Sequence, residues 1–119
     1  MRIIVADDSA VMRKIVIRTL RQTGLSNLDI IEANDGRELV DLVAEHGPDL
    51  VLSDWNMPNL TGIDALAELR ARGDSVPFGF VTSEGSEAMR ERATAAGALF
   101  LLSKPFTAET MEDALAAVG

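Results

Sequence analysis

Five short apolar runs punctuate this chain, each followed by a longer stretch with helical spacing, and few folds accept that rhythm. Ile3-Ile4-Val5-Ala6, Leu28 to Ala33, Leu50-Val51-Leu52, Phe78 to Thr82 and Leu99 to Leu102 read as strands. Ser9 to Thr23 and Asp35 to His46 read as helices, with Met12, Ile15, Val16 and Leu20 on one face of the first and Leu39, Val40, Leu42 and Val43 inside the second. Thr61, with Asp64 three residues on, opens a third, and Gly73 closes it. An alanine-rich fourth is expected over Glu84 to Ala96, and Thr107 caps a fifth that carries Met111, Leu115 and Val118. Gly24, Gly47-Pro48 and Gly97 stand where helices stop. Near-continuous apolar strands alternating with helices predict an α/β fold: a doubly wound, five-stranded parallel sheet with five helices, covered on both faces. With 119 residues, 47% of them hydrophobic, one domain over residues 1–119 can build its own core.

In open α/β sheets ligands bind beyond the carboxyl ends of the strands. Asp7 and Asp8 follow the first strand; Asp54, Trp55 and Asn56 the third; Thr82, Ser83 and Glu84 the fourth; Ser103, Lys104 and Pro105 the fifth. Three carboxylates, a hydroxyl and an ammonium therefore converge on one edge. Two carboxylates about 5 Å apart repel by roughly 3 kcal/mol at an effective dielectric near 20. A hard divalent cation relieves that strain, and Mg²⁺ takes oxygen ligands of this kind. A carboxylate beside such a cation can act as a nucleophile and hold a phosphoryl group. Lys104 supplies a point charge to the phosphoryl oxygens, Thr82 a hydrogen bond, and the amides around Trp55 to Met57 further donors.

Other chemistries fall away. The absence of cysteine rules out disulfides and thiolate metal sites, and the lone His46 cannot build a zinc site. A formal charge of −8 argues against direct nucleic-acid binding. No apolar run reaches the length of a membrane span, and Met1 leads almost directly into the first strand, so a cytoplasmic protein with no membrane insertion is expected. Each residue also has a plainer role available. Ser9 or Asp8 can cap the first helix. Arg13, Lys14, Arg90 and Arg92 read as solvated helix faces, and Trp55, between polar neighbours in a loop, as partly exposed. Only the coincidence of polar groups at four strand ends favours a site.

These residues resemble the receiver domain of two-component response regulators over essentially the whole chain, and the stand-alone chemotaxis members most. The resemblance rests on Asp7-Asp8, on Asp54-Trp55-Asn56-Met57-Pro58, on Gly62 and Thr82, and on Lys104-Pro105-Phe106. It implies a flavodoxin-like strand order of 2-1-3-4-5. Asp54 would be the phosphoacceptor, with Asp7, Asp8, Asp54 and the backbone carbonyl of Asn56 holding Mg²⁺. Thr82 and Lys104 would contact the phosphoryl group, with a cis Lys104-Pro105 bond. Asn56 and Glu84 would tune its loss. A sensor histidine kinase would be the donor, and the face of helix four, strand five and helix five would regulate a partner such as a flagellar motor switch component. The chain would act as a monomer. One position departs from the pattern: the switch residue three before the lysine, often Tyr or Phe, is Leu101 here. Phe100 points to the opposite face of the strand and reads as core. Movement of helix four and of the loop after Thr82, helped by Gly79 and Gly85, is the expected replacement.

A phosphoryl carrier that passes the group to a histidine phosphotransfer protein would use the same site. A Mg²⁺-dependent phosphatase would need a second acid two residues after the nucleophile, and Asn56 cannot serve; turnover enzymology is therefore not expected. A flavin or nucleotide module would need phosphate-cradling groups where Asp7 and Asp8 stand.

Overall fold

The computed structural model describes residues 1–118. Gly119, the end of the expected domain, lies outside the described residues. Five strands, β1 (Arg2–Ala6), β2 (Asp29–Ala33), β3 (Leu50–Ser53), β4 (Phe78–Thr82) and β5 (Phe100–Ser103), alternate with α1 (Ala10–Arg21), α2 (Gly36–His46), α3 (Gly62–Ala71), α4 (Glu87–Ala95) and α5 (Ala108–Leu115). A 3-10 turn over Ala116–Val118 follows. All strand pairs are parallel, in the order β2-β1-β3-β4-β5. The chain reverses its direction of travel across the sheet between β1 and β3, and there the carboxyl ends open a crevice.

Strand alternation divides the core in two. Ile3 and Val5 pack with Val16 and Leu20 of α1 and Met111 of α5. Ile4 and Ala6 pack with Leu39, Val40 and Val43 of α2, Leu66 and Leu69 of α3, and Ala93 of α4. Phe100 leans on the first cluster and Leu101 is buried in the second, as a one-residue step along β5 requires.

Helix starts follow their caps. The side chains of Ser9, Asp35, Thr61 and Thr107 each accept a backbone N–H from the first turn of the helix they precede. α4 begins three residues later than expected, because Ser86 is its cap and accepts the Met89 N–H at 3.1 Å. α1 ends at Arg21, before Thr23, whose hydroxyl donates back to the Leu20 carbonyl. A Cβ on Gly79 would collide with the ring of Phe100, and one on Gly85 with the Ser103 hydroxyl, so both glycines are there for close approach. At the opposite end of the sheet Arg70 donates to the carbonyls of Asp74, Val76 and Gly97, tying the α3–β4 and α4–β5 connections together.

Candidate functional site

β1 and β3 are neighbours, so their carboxyl ends deliver Asp7, Asp8 and Asp54 side by side. One carboxylate oxygen from each lies within 4.8 Å of the others. Asp7 is buried, Asp54 half-buried and Asp8 exposed, a gradient from protein to solvent. The Asp7 carboxylate accepts the Ser9 N–H at 2.9 Å, so the α1 cap and the acidic cluster share one turn. Asp54 Oδ1 accepts the Trp55 N–H at 2.7 Å. The Asp54 N–H donates to the Ala6 carbonyl, and the Asp54 carbonyl accepts the Ser53 hydroxyl. Gly62 lies over that carbonyl so closely that a Cβ there would overlap the oxygen.

Lys104 reaches in from the end of β5, across a cis peptide bond to Pro105. Its Nζ lies 3.4 Å from Asp7 Oδ2 and 3.9 Å from Asp54 Oδ2. The Lys104 N–H donates to the Thr82 carbonyl, which registers β4 against β5 at the site. Thr82 is fully buried, and its hydroxyl accepts the Glu84 N–H at 3.4 Å. Burial raises the Asp54 carboxyl above its usual range, and the charge on Asp7 adds to the rise. Lys104, the Trp55 amide and the Thr82 hydroxyl pull the other way without cancelling it.

Three carboxylates against one ammonium leave the cluster negative, and all its donors are oxygens. That set fits a hard divalent cation such as Mg²⁺. Asn56 and Glu84 are exposed at the rim, and Leu101 is buried away from it.

Two residues lie elsewhere than the sequence predicts. Trp55 is buried, 7% exposed, with its ring 4.8 Å from that of Phe80 and the Arg92 guanidinium 5.7 Å above it. Arg13 is also buried and donates to Glu32 and to the Asp7 carbonyl. Its signal was present in the spacing, since Arg13 falls on the same helix face as Val16 and Leu20. Arg90, exposed along its stem, carries its guanidinium to the Leu101 carbonyl at 2.8 Å and the Ser103 hydroxyl at 3.1 Å.

The family description "Response regulator receiver domain" matches residues 3–116. The chain belongs to that family, whose general function is a phosphorylation switch. It is 36% identical over 117 residues to chemotaxis protein CheY-3 of Vibrio cholerae, covering 97% of this chain and 88% of that one. It is also 36% identical to chemotaxis protein CheY of Pseudomonas aeruginosa, covering 95% and 91%. Among solved structures, chemotaxis protein CheY4 of Vibrio cholerae superposes with a TM-score of 0.86 at 30% identity, covering 99% and 98% of the two chains. The receiver domain of the response regulator NarL from Mycobacterium tuberculosis superposes with a TM-score of 0.87 at 28% identity, covering 99% and 96%.

Proposed function

We propose that this chain is a signalling switch in which Asp54 accepts a phosphoryl group from a phosphohistidine on a sensor kinase. The observation that carries this reading is the convergence of Lys104 with Asp7 and Asp54 at the sheet edge. An Asp54 oxygen attacks phosphorus, the P–N bond of the donor breaks, and its imidazole leaves with the electron pair and takes up a proton. Mg²⁺ held by Asp7, Asp8, Asp54 and the Asn56 backbone carbonyl would neutralise phosphoryl charge when bound. Lys104 exchanges its carboxylate contacts for a phosphoryl oxygen, and Thr82 turns its hydroxyl toward the same group. Those contacts exist only with the phosphoryl group in place, so they bias the chain toward a second arrangement. Exposed Asn56 and Glu84 set the approach of water and hence the lifetime of the acyl phosphate. One receiver domain over 1–119 carries this activity as a monomer.

The output face is α4, β5 and α5, and the chemotaxis relatives make a flagellar motor switch component the favoured partner. The setting is the cytoplasm, with no direct nucleic-acid contact; among the described residues no helix is long and apolar enough to cross a membrane. A phosphorelay carrier is the second reading. What favours it is the buried Leu101, which cannot act as an aromatic rotor. Fast reverse transfer to a histidine phosphotransfer protein would select the carrier.

The test is intact mass after incubation with acetyl phosphate and Mg²⁺, with Trp55 emission followed in parallel. A single phosphoryl adduct that needs Mg²⁺ and vanishes in Asp54→Asn is expected. An adduct that persists in Asp54→Asn would sink the assignment.

A further inference from the structure

The Asp7–Asp8 peptide unit is held from several sides. Every hydrogen-bonding group of Asp7 has a partner. Its N–H donates to the Ala33 carbonyl of β2 at 3.1 Å, one carboxylate oxygen accepts from Ser9, and the other faces Lys104. Its carbonyl accepts from Arg13 Nη1 at 2.5 Å. Arg13 is itself fixed, since its Nε donates to Glu32 Oε1 on β2 at 2.9 Å and the residue is only 9% exposed.

The carbonyl that Arg13 holds belongs to the peptide plane joining Asp7 to Asp8. That plane is rigid, so fixing its oxygen fixes the directions from which two of the three carboxylates leave the backbone. Like-charged carboxylates this close push one another apart, and rotation of that plane is one way for them to separate. A planar guanidinium offers donors in fixed directions and can serve Glu32 and the Asp7 carbonyl together; an ammonium is a single point charge without that fork.

We infer that Arg13 is a positioning residue for the acidic site, aiming Asp7 and Asp8 through the peptide that joins them. The inference rests on the reading of Asp7, Asp8 and Asp54 as the cation-binding group. A bridge that merely joins α1 to β2 would affect stability and leave cation affinity alone, and that difference is measurable.

The experiment titrates the full chain with Mg²⁺, read by Trp55 emission, for wild type, Arg13→Gln, Arg13→Lys and Glu32→Gln, with thermal midpoints taken in the absence of metal. Removing a group that orients metal ligands typically weakens binding 10–100-fold, so Arg13→Gln is expected to lose about tenfold or more in affinity. Arg13→Lys falls between it and wild type, and Glu32→Gln, which keeps the Asp7 contact, loses least. Arg13→Gln that folds and binds Mg²⁺ within about twofold of wild type overturns the inference, being far outside the expected range. Wild-type affinity in Arg13→Lys overturns it as well, and that variant decides the matter where Arg13→Gln does not fold. Wild type that binds no Mg²⁺ overturns the cation site itself, and this inference with it.

Discussion

α3 and α4 cover the same face of the sheet and flank the same site, yet they are attached in different ways. α3 buries Gly62, Ile63, Ala65, Leu66 and Leu69, whereas α4 buries Ala93 alone. Each large side chain fully buried by α3 contributes about 1.5–3 kcal/mol of transfer free energy. α4 is instead held by polar reach: Arg90 on the Leu101 carbonyl and the Ser103 hydroxyl, and Arg92 over Trp55. Packing of the first kind has one well-fitted arrangement, while hydrogen bonds and cation–π contacts can be exchanged for others of similar energy. Segments with few buried apolar contacts also open first. Asp54 thus sits between an anchored wall and a detachable one, which is what a switch requires.

The largest test of this contrast is a pair of truncations. Leu66→Ala is expected to cost about 2–5 kcal/mol in urea unfolding. Met89→Ala on α4, where the side chain is only partly buried against the core, is expected to cost about 1 kcal/mol, the centre of the range for single substitutions. Equal losses would break the comparison.

A middle-sized effect lies at Asp54. Its carboxyl is raised in the folded protein, mainly by burial, so the folded state binds the proton more tightly than the unfolded chain does. Stability of the metal-free protein therefore falls as pH rises from the unfolded value through the folded one, and the loss persists at neutral pH. Asp54→Asn removes that cost. At pH 7 without metal it is expected to melt a few degrees above wild type. The gap closes as pH drops below the unfolded value, where both side chains are neutral. A variant that melts lower at pH 7 would contradict the assignment.

The smallest expected effect sharpens the picture of α4. Arg92→Ala is expected to cost about 0.5–1 kcal/mol, the range for an exposed cation–π contact. It should shift Trp55 emission toward the red as the ring gains water. No spectral change would mean that Arg92 does not shield the indole.

Most of the architecture was legible because it rests on short-range pattern. Apolar runs and helical spacing mark the strands and helices, and the rule for sheet ends gathers Asp7, Asp8, Asp54, Thr82 and Lys104. What escaped depends on contacts between distant elements. Trp55 reads as a loop residue until Phe80 of β4 and Arg92 of α4 are brought against it. Arg13 reads as solvated because the partners that make its burial tolerable, Glu32 and the Asp7 carbonyl, belong to other elements. The late start of α4 escaped because its cap, Ser86, lies inside the span that reads as helix.

Arg70 gives α4 a mechanical asymmetry. By gripping the Gly97 carbonyl together with those of Asp74 and Val76, it fastens the far end of α4 to the α3–β4 connection, while the light polar contacts of Arg90 hold the middle of the helix. A rod fixed at one end is a lever, and its fulcrum lies away from Asp54. α4 has 9 residues and so is about 13 Å long; a tilt of about 10° would carry its free end roughly 2 Å. Displacement would be greatest beside Thr82 and fade toward Gly97, so a partner reading the first turn of α4 would sense far more than one reading the last.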